Sequence, residues 1–160
     1  IMKRRELFSS LVSSFKKEEK QEKIIRPPYY IDENIFFKNC KNCEGLCATV
    51  CEENIIFIQD DSTPKLDLKS GGCTYCNKCA IACPNDVLHI ENKRVIDAKI
   101  EIDILSCLSW NKTMCFSCKD PCLDDAIDFL AMFRPSINDK CISCGFCINS
   151  CPTNAIKILS

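Results

Sequence analysis

What this sequence lacks removes several classes of function before any motif is read. Histidine occurs once in 160 residues, at His89. A single imidazole beyond a cysteine group is better read as a surface or strand residue than as a metal ligand. No apolar run is long enough for a transmembrane helix or a signal peptide. Arg4-Arg5 has the form of a twin-arginine export signal, but the charged stretch Ser13-Ser14-Phe15-Lys16-Lys17-Glu18-Glu19 follows where an apolar segment would be needed. A cytoplasmic protein is therefore expected. No flavin motif, dinucleotide motif or separate substrate site appears, so the chain is not expected to be an enzyme beyond electron transfer.

An excess of positive charge is missing too. The formal net charge is −1, and it is unevenly spread. Residues 1–26 hold eight Lys/Arg and four Glu, whereas the remainder holds 13 Lys/Arg against 18 Asp/Glu. An acidic body argues against nucleic-acid binding, which needs basic patches.

Cysteine is the opposite case, at 16 of 160 residues. A chain this small buries too little apolar surface to ignore cross-links or metal. In a reducing compartment metal ligation is the default. The cysteines fall into four groups: Cys40, Cys43, Cys47, Cys51; Cys73, Cys76, Cys79, Cys83; Cys107, Cys115, Cys118, Cys122; and Cys141, Cys144, Cys147, Cys151. A second repeat marks the unit. Four and five positions after each last cysteine stand Ile55-Ile56, Val87-Leu88, Ala126-Ile127 and Ala155-Ile156. The intervening Glu52-Glu53-Asn54, Pro84-Asn85-Asp86, Leu123-Asp124-Asp125 and Pro152-Thr153-Asn154 have helix-opening composition. The unit therefore reads as a cysteine loop, a short helix and a short strand.

Groups two and four follow C-x2-C-x2-C-x3-C-P, the bacterial ferredoxin run. Three close thiolates can reach three irons of one cubane, and the fourth serves the cluster of a partner motif. Group one has an extra residue in Glu44-Gly45-Leu46, and Glu52 stands where proline is expected. Group three is stretched by Leu108-Ser109-Trp110-Asn111-Lys112-Thr113-Met114. Both still close at four cysteines, so the expectation is four [4Fe–4S] clusters on all sixteen. Structural zinc favours two C-x2-C pairs with a longer spacer, and triplets recur here instead. Tyr75, Phe116, Phe146 and Trp110, inside the loops, are expected to shield clusters from water rather than to relay electrons.

Asp60-Asp61-Ser62-Thr63-Pro64 is a turn that predicts a hairpin between groups one and two. The expected fold is α+β, with two bacterial-ferredoxin-like 2[4Fe–4S] units at residues 31–100 and 101–160. Serial pairing would hold one cluster on Cys40, Cys43, Cys47 and Cys83, and the next on Cys73, Cys76, Cys79 and Cys51. Cys107, Cys115, Cys118 and Cys151 would hold a third, and Cys141, Cys144, Cys147 and Cys122 the fourth. Nested pairing, groups two with three and one with four, is the alternative that spacing leaves open. Residues 1–30 read as a tail. Leu7, Phe8, Leu11, Val12 and Phe15 share one helical face, and a charged tether runs to Arg26-Pro27-Pro28. That helix is expected to dock a partner, with packing on its own acidic body as the alternative.

The tail Arg4-Arg5-Glu6-Leu7-Phe8, Arg26-Pro27-Pro28 with Tyr29, Phe133-Arg134-Pro135 before group four, and the order of groups with the third one stretched carry a resemblance. The chain is similar to the NapF family, the ferredoxin-type proteins of the periplasmic nitrate reductase system. The extra residue between Cys43 and Cys47 departs from the family's pattern. The resemblance implies a cytoplasmic protein with four [4Fe–4S] clusters that contacts the molybdenum catalytic subunit, NapA, in its maturation or redox conditioning. An electron-transfer subunit of another oxidoreductase complex and a redox sensor are the competing readings. No DNA-binding motif supports the sensor.

Overall fold

The structure, a computed structural model, describes residues 23–159. The amphipathic helix expected over Leu7–Phe15 lies outside the described residues. Among the described ones, six short strands form three antiparallel pairs.

The expected hairpin joins groups one and two. β1 (Ile56–Ile58) pairs with β2 (Pro64–Leu66) in the register Ile56↔Leu66 and Ile58↔Pro64. Its turn is set by Asp61, whose carboxylate accepts from the Thr63 N–H at 2.9 Å and the Thr63 hydroxyl at 2.7 Å. This is the local side-chain bond that makes Asp a turn residue. Pro64 is tolerated because a two-stranded sheet is all edge.

Groups three and four are joined in the same way by β4 (Ile127–Leu130) and β5 (Phe133–Ile137). The two-residue loop between them, Ala131-Met132, has both residues at positive φ, 48° and 70°. A tight hairpin loop demands that conformation, and it usually recruits Asn-Gly. β3 (Lys99–Ile102) then pairs with β6 (Ile156–Leu159), closing the second half around both groups.

The apolar pairs that repeat after each group are the core. All eight residues are buried, and none exceeds 7% exposure. The helices, however, are not where the sequence suggested. α2 (Leu46–Thr49), α3 (Lys78–Ile81) and α4 (Phe146–Asn149) each contain the third cysteine of a group and end before the fourth. The segments after the fourth cysteines are turns, not helix openings. Each turn ends on a left-handed residue, Asn54, Asp86, Asp125 or Asn154, with φ between 50° and 52°. Asn and Asp are the residues that tolerate this region. The sharp turn aims the following apolar pair back into the core.

One more helix, α1 (Asn34–Asn39), leads into group one. Residues 26–30, the end of the expected tail, pack within the first half. Arg26, Pro27, Pro28, Tyr29 and Tyr30 are all buried.

Candidate metal centres

In groups one, two and four the third cysteine is delivered by the same device. A left-handed residue two positions before it starts the short helix: Gly45 at φ 73°, Asn77 at φ 66° and Gly145 at φ 92°. A Cβ on Gly45 would stand 2.8 Å from Ile58 Cγ1, so glycine serves there both for conformation and for room. In group three the corresponding position is Phe116, which packs at a tilt against Phe129 with ring centroids 4.8 Å apart. That loop has no helix, and its third cysteine, Cys118, lies in a turn instead.

The fourth cysteine of each group crosses to the partner group of its own half. Cys51 lines a cavity with Cys73, Cys76 and Cys79. Cys151 does so with Cys107, Cys115 and Cys118, and Cys122 with Cys141, Cys144 and Cys147. For the remaining set, the charges of Cys83 and Cys43 both act on Cys40 and on Cys47. Cys51 therefore sits with group two, and the nested arrangement, which would set it beside group four, is not the one observed.

All sixteen thiols are free of disulfide bonds. Burial pushes six of them well up: Cys40, Cys47, Cys73 and Cys118 to about 11, and Cys79 and Cys147 to about 12, with neighbouring cysteine charges adding to the rise in each case. Burial raises Cys151 as well, but N–H donation from Thr153 and Ala155 outweighs it, so its net shift is downward. Four thiols gathered in an apolar cavity are poor company for one another as thiolates. A multiply charged metal group removes that conflict.

Among the described residues, no three His, Cys, Asp or Glu side chains converge tightly enough to hold a single metal ion. The four thiols of each set surround a space rather than a point. In a polynuclear cluster each thiolate takes a different iron, so the donor sets fit a cubane better than zinc. Backbone donors complete the fit. Ala155 N–H donates to Cys151 Sγ at 3.2 Å, Ala126 N–H to Cys122 Sγ at 3.3 Å and Leu88 N–H to Cys83 Sγ at 3.5 Å. Such bonds stabilise negative charge on sulfur.

The loop aromatics act as struts. Trp110 Nε1 donates to the Pro135 carbonyl at 3.0 Å, and the Tyr75 hydroxyl donates to the Ile142 carbonyl at 2.6 Å. His89 lies at the surface, where its ring accepts from the Glu91 N–H at 3.4 Å. Two buried residues were not singled out as site residues from the sequence. Tyr29 lines the Cys51–Cys79 cavity, and its hydroxyl accepts from the Asn77 N–H at 3.2 Å. Arg26 donates to Thr63 Oγ1 at 2.8 Å and to the Pro64 carbonyl at 2.6 Å, its guanidinium carbon 4.9 Å from the Phe36 ring centre. Its charge also favours the Cys40 thiolate. The signal was present in Arg26-Pro27-Pro28-Tyr29, which read instead as the end of a tail.

Comparison with known proteins agrees with this geometry. A 4Fe-4S dicluster domain matches residues 39–87, and a 4Fe-4S binding domain matches residues 136–157. The ferredoxin-type protein NapF of Escherichia coli is 34% identical over 137 residues, which cover 82% of each chain. The Haemophilus influenzae protein of the same name is 36% identical over 155 residues, covering 93% of this chain and 87% of that one. The chain belongs to the NapF family of ferredoxin-type proteins. It is an iron–sulfur electron-transfer protein, as the members of that family are by name. A more distant likeness, 34% over 125 residues, is to one subunit of the Na(+)-translocating ferredoxin:NAD(+) oxidoreductase complex of Acetobacterium woodii, of which it covers 35%. No helix among the described residues is long and apolar enough to cross a membrane.

Proposed function

We propose that this NapF-family protein holds four [4Fe–4S] clusters on its sixteen cysteines, in ferredoxin-like units at residues 31–100 and 101–160. We further propose that it serves the molybdenum catalytic subunit of a periplasmic nitrate reductase, NapA, in the cytoplasm, by electron transfer or in maturation. The observation that carries the first part is the crossing of each fourth cysteine into the cavity of the partner group. The second part rests on family membership over most of the chain.

When bound, the clusters supply one-electron transfer. The protein's own residues do the rest. Each set of four cysteines satisfies the iron sites of one cluster and gives up its protons on binding. The apolar pairs after each group exclude water from the cavities. The N–H groups of Leu88, Ala126 and Ala155 favour charge on the sulfurs they meet. Arg26 places a buried cation near the Cys40 end.

Anaerobic pull-down from cells that contain both proteins tests the partner. Capture of the molybdenum subunit in a substoichiometric, transient fashion supports an accessory role. A stable stoichiometric complex with another oxidoreductase would assign the chain as a permanent component of it instead, the reading that the likeness to the Acetobacterium woodii complex favours. No capture of the molybdenum subunit would remove the nitrate reductase assignment.

A further inference from the structure

The two halves meet through the cysteine loops themselves. The Cys73 N–H donates to the Cys144 carbonyl at 2.7 Å, which joins a cysteine of group two directly to one of group four. Glycine makes the approach possible. A Cβ on Gly72 would stand 2.5 Å from the Phe146 ring and 2.7 Å from its backbone nitrogen, and one on Gly145 would stand 2.8 Å from Leu68 Cβ. Either would force the loops apart.

Two equivalent residues lock the junction. Tyr75 and Ser143 each precede the second cysteine of their group, and each lies at positive φ, 51° and 55°. A bulky residue in that region is a genuine outlier, held there only when its surroundings over-determine it. Here both hydroxyls reach across to the other half. Tyr75 donates to the Ile142 carbonyl at 2.6 Å, and Ser143 donates to the Ala98 carbonyl at 2.6 Å. Tyr75 also accepts from the Ile96 N–H at 3.1 Å.

Within the halves, each fourth cysteine shown in a cavity crosses to its partner group, Cys51 to group two, Cys122 to group four and Cys151 to group three. We infer that the four cluster sites form one continuous line, ordered group one, group two, group four, group three, with the electron crossing between halves at the Cys73–Cys144 contact. This inference rests on the reading that the sixteen cysteines hold clusters. Each step passes one electron from a reduced cluster to its oxidised neighbour, with no bond made or broken and no proton required. The two regular motifs then supply the inner sites, and the two irregular ones, groups one and three, supply the ends where partners exchange electrons.

The test is EPR of the full-length chain, reduced anaerobically with dithionite, with iron and sulfide counted on the same samples. Cys43→Ala with Cys115→Ala removes the outer sites. About eight irons should remain, and the two inner spins should broaden or split one another. Two sharp, independent signals would overturn the order. Cys76→Ala with Cys141→Ala removes the inner sites, and the two spins left should not interact; interaction there would overturn the order as well. Should these variants retain no iron, a crystal structure of the loaded wild-type protein decides. The sites of Cys73 and Cys144 must be the nearest pair across the halves, and any other nearest pair refutes the line. Wild-type protein far short of sixteen irons would instead refute the cluster reading itself.

Discussion

The two halves of the molecule share a plan but are closed differently. In the second half β3 and β6 pair over four residues, from Lys99↔Leu159 to Ile102↔Ile156. In the first half the stretch in the place of β3 contains Pro27 and Pro28, which have no N–H to donate. The stretch meets the rest of its half through carbonyls. Pro28 accepts from the Arg94 N–H at 2.9 Å and Tyr29 from the His89 N–H at 2.8 Å. Arg26 and Tyr29 take over the work of the missing ladder by burying themselves against Phe36, Thr63 and the group two loop. What touches the cysteines is kept in both halves, namely the apolar pairs and the left-handed Asn or Asp. What closes the outside is free to differ.

The largest expected effect treats both halves alike. Removing iron from anaerobic protein with a chelator should abolish most of the circular-dichroism signal, because the thiol-lined cavities lose the group that reconciles them. Thiols raised to about 12, as Cys79 and Cys147 are, hold their protons through neutral pH in the metal-free chain. Protons therefore compete with iron, and cluster loss to the chelator should accelerate as pH falls. Faster loss at higher pH would contradict this sign.

Next come the equivalent core positions Ile56 and Ile127, both buried. Ile56→Ala and Ile127→Ala should each cost about 2–5 kcal/mol, read as faster bleaching of the visible absorption in denaturant. If only one half responds, the repeat is not the common core claimed here.

Arg26→Met separates the halves. It leaves the Pro64 carbonyl without its buried donor, at a cost of about 1–3 kcal/mol. It also removes a cation near Cys40, so the potential of the first cluster should fall in a redox titration while the others hold. An unchanged set of four potentials would show that Arg26 is a structural strut alone.

The smallest effect lies in the β4–β5 loop, where the first half has a longer turn. Ala131→Asn with Met132→Gly suits the left-handed conformation already present and should stabilise by about 1 kcal/mol. Destabilisation would mean that the two side chains contribute packing that outweighs their strain.

Much of this was legible in the sequence because it is local. Cysteine spacing marks the loops, and the apolar pairs mark the strands that leave them. The hairpin at Asp60–Pro64 announces itself through turn chemistry. The helices were misplaced because Pro152-Thr153-Asn154 and its counterparts suit a helix start and a tight turn equally. Only the left-handed φ of Asn54, Asp86, Asp125 and Asn154 distinguishes the two. Residues 26–30 read as a tail because charge and paired prolines dominate locally. Their burial depends on Phe36 and on Thr63, which is 37 positions from Arg26. The pairing of β3 with β6, separated by both cysteine groups, is likewise a tertiary matter.

Iron and acid-labile sulfide counted on anaerobically purified protein test the central claim most directly. The account requires about sixteen of each per chain, with EPR signals that appear on reduction. Stoichiometric zinc without sulfide would contradict it.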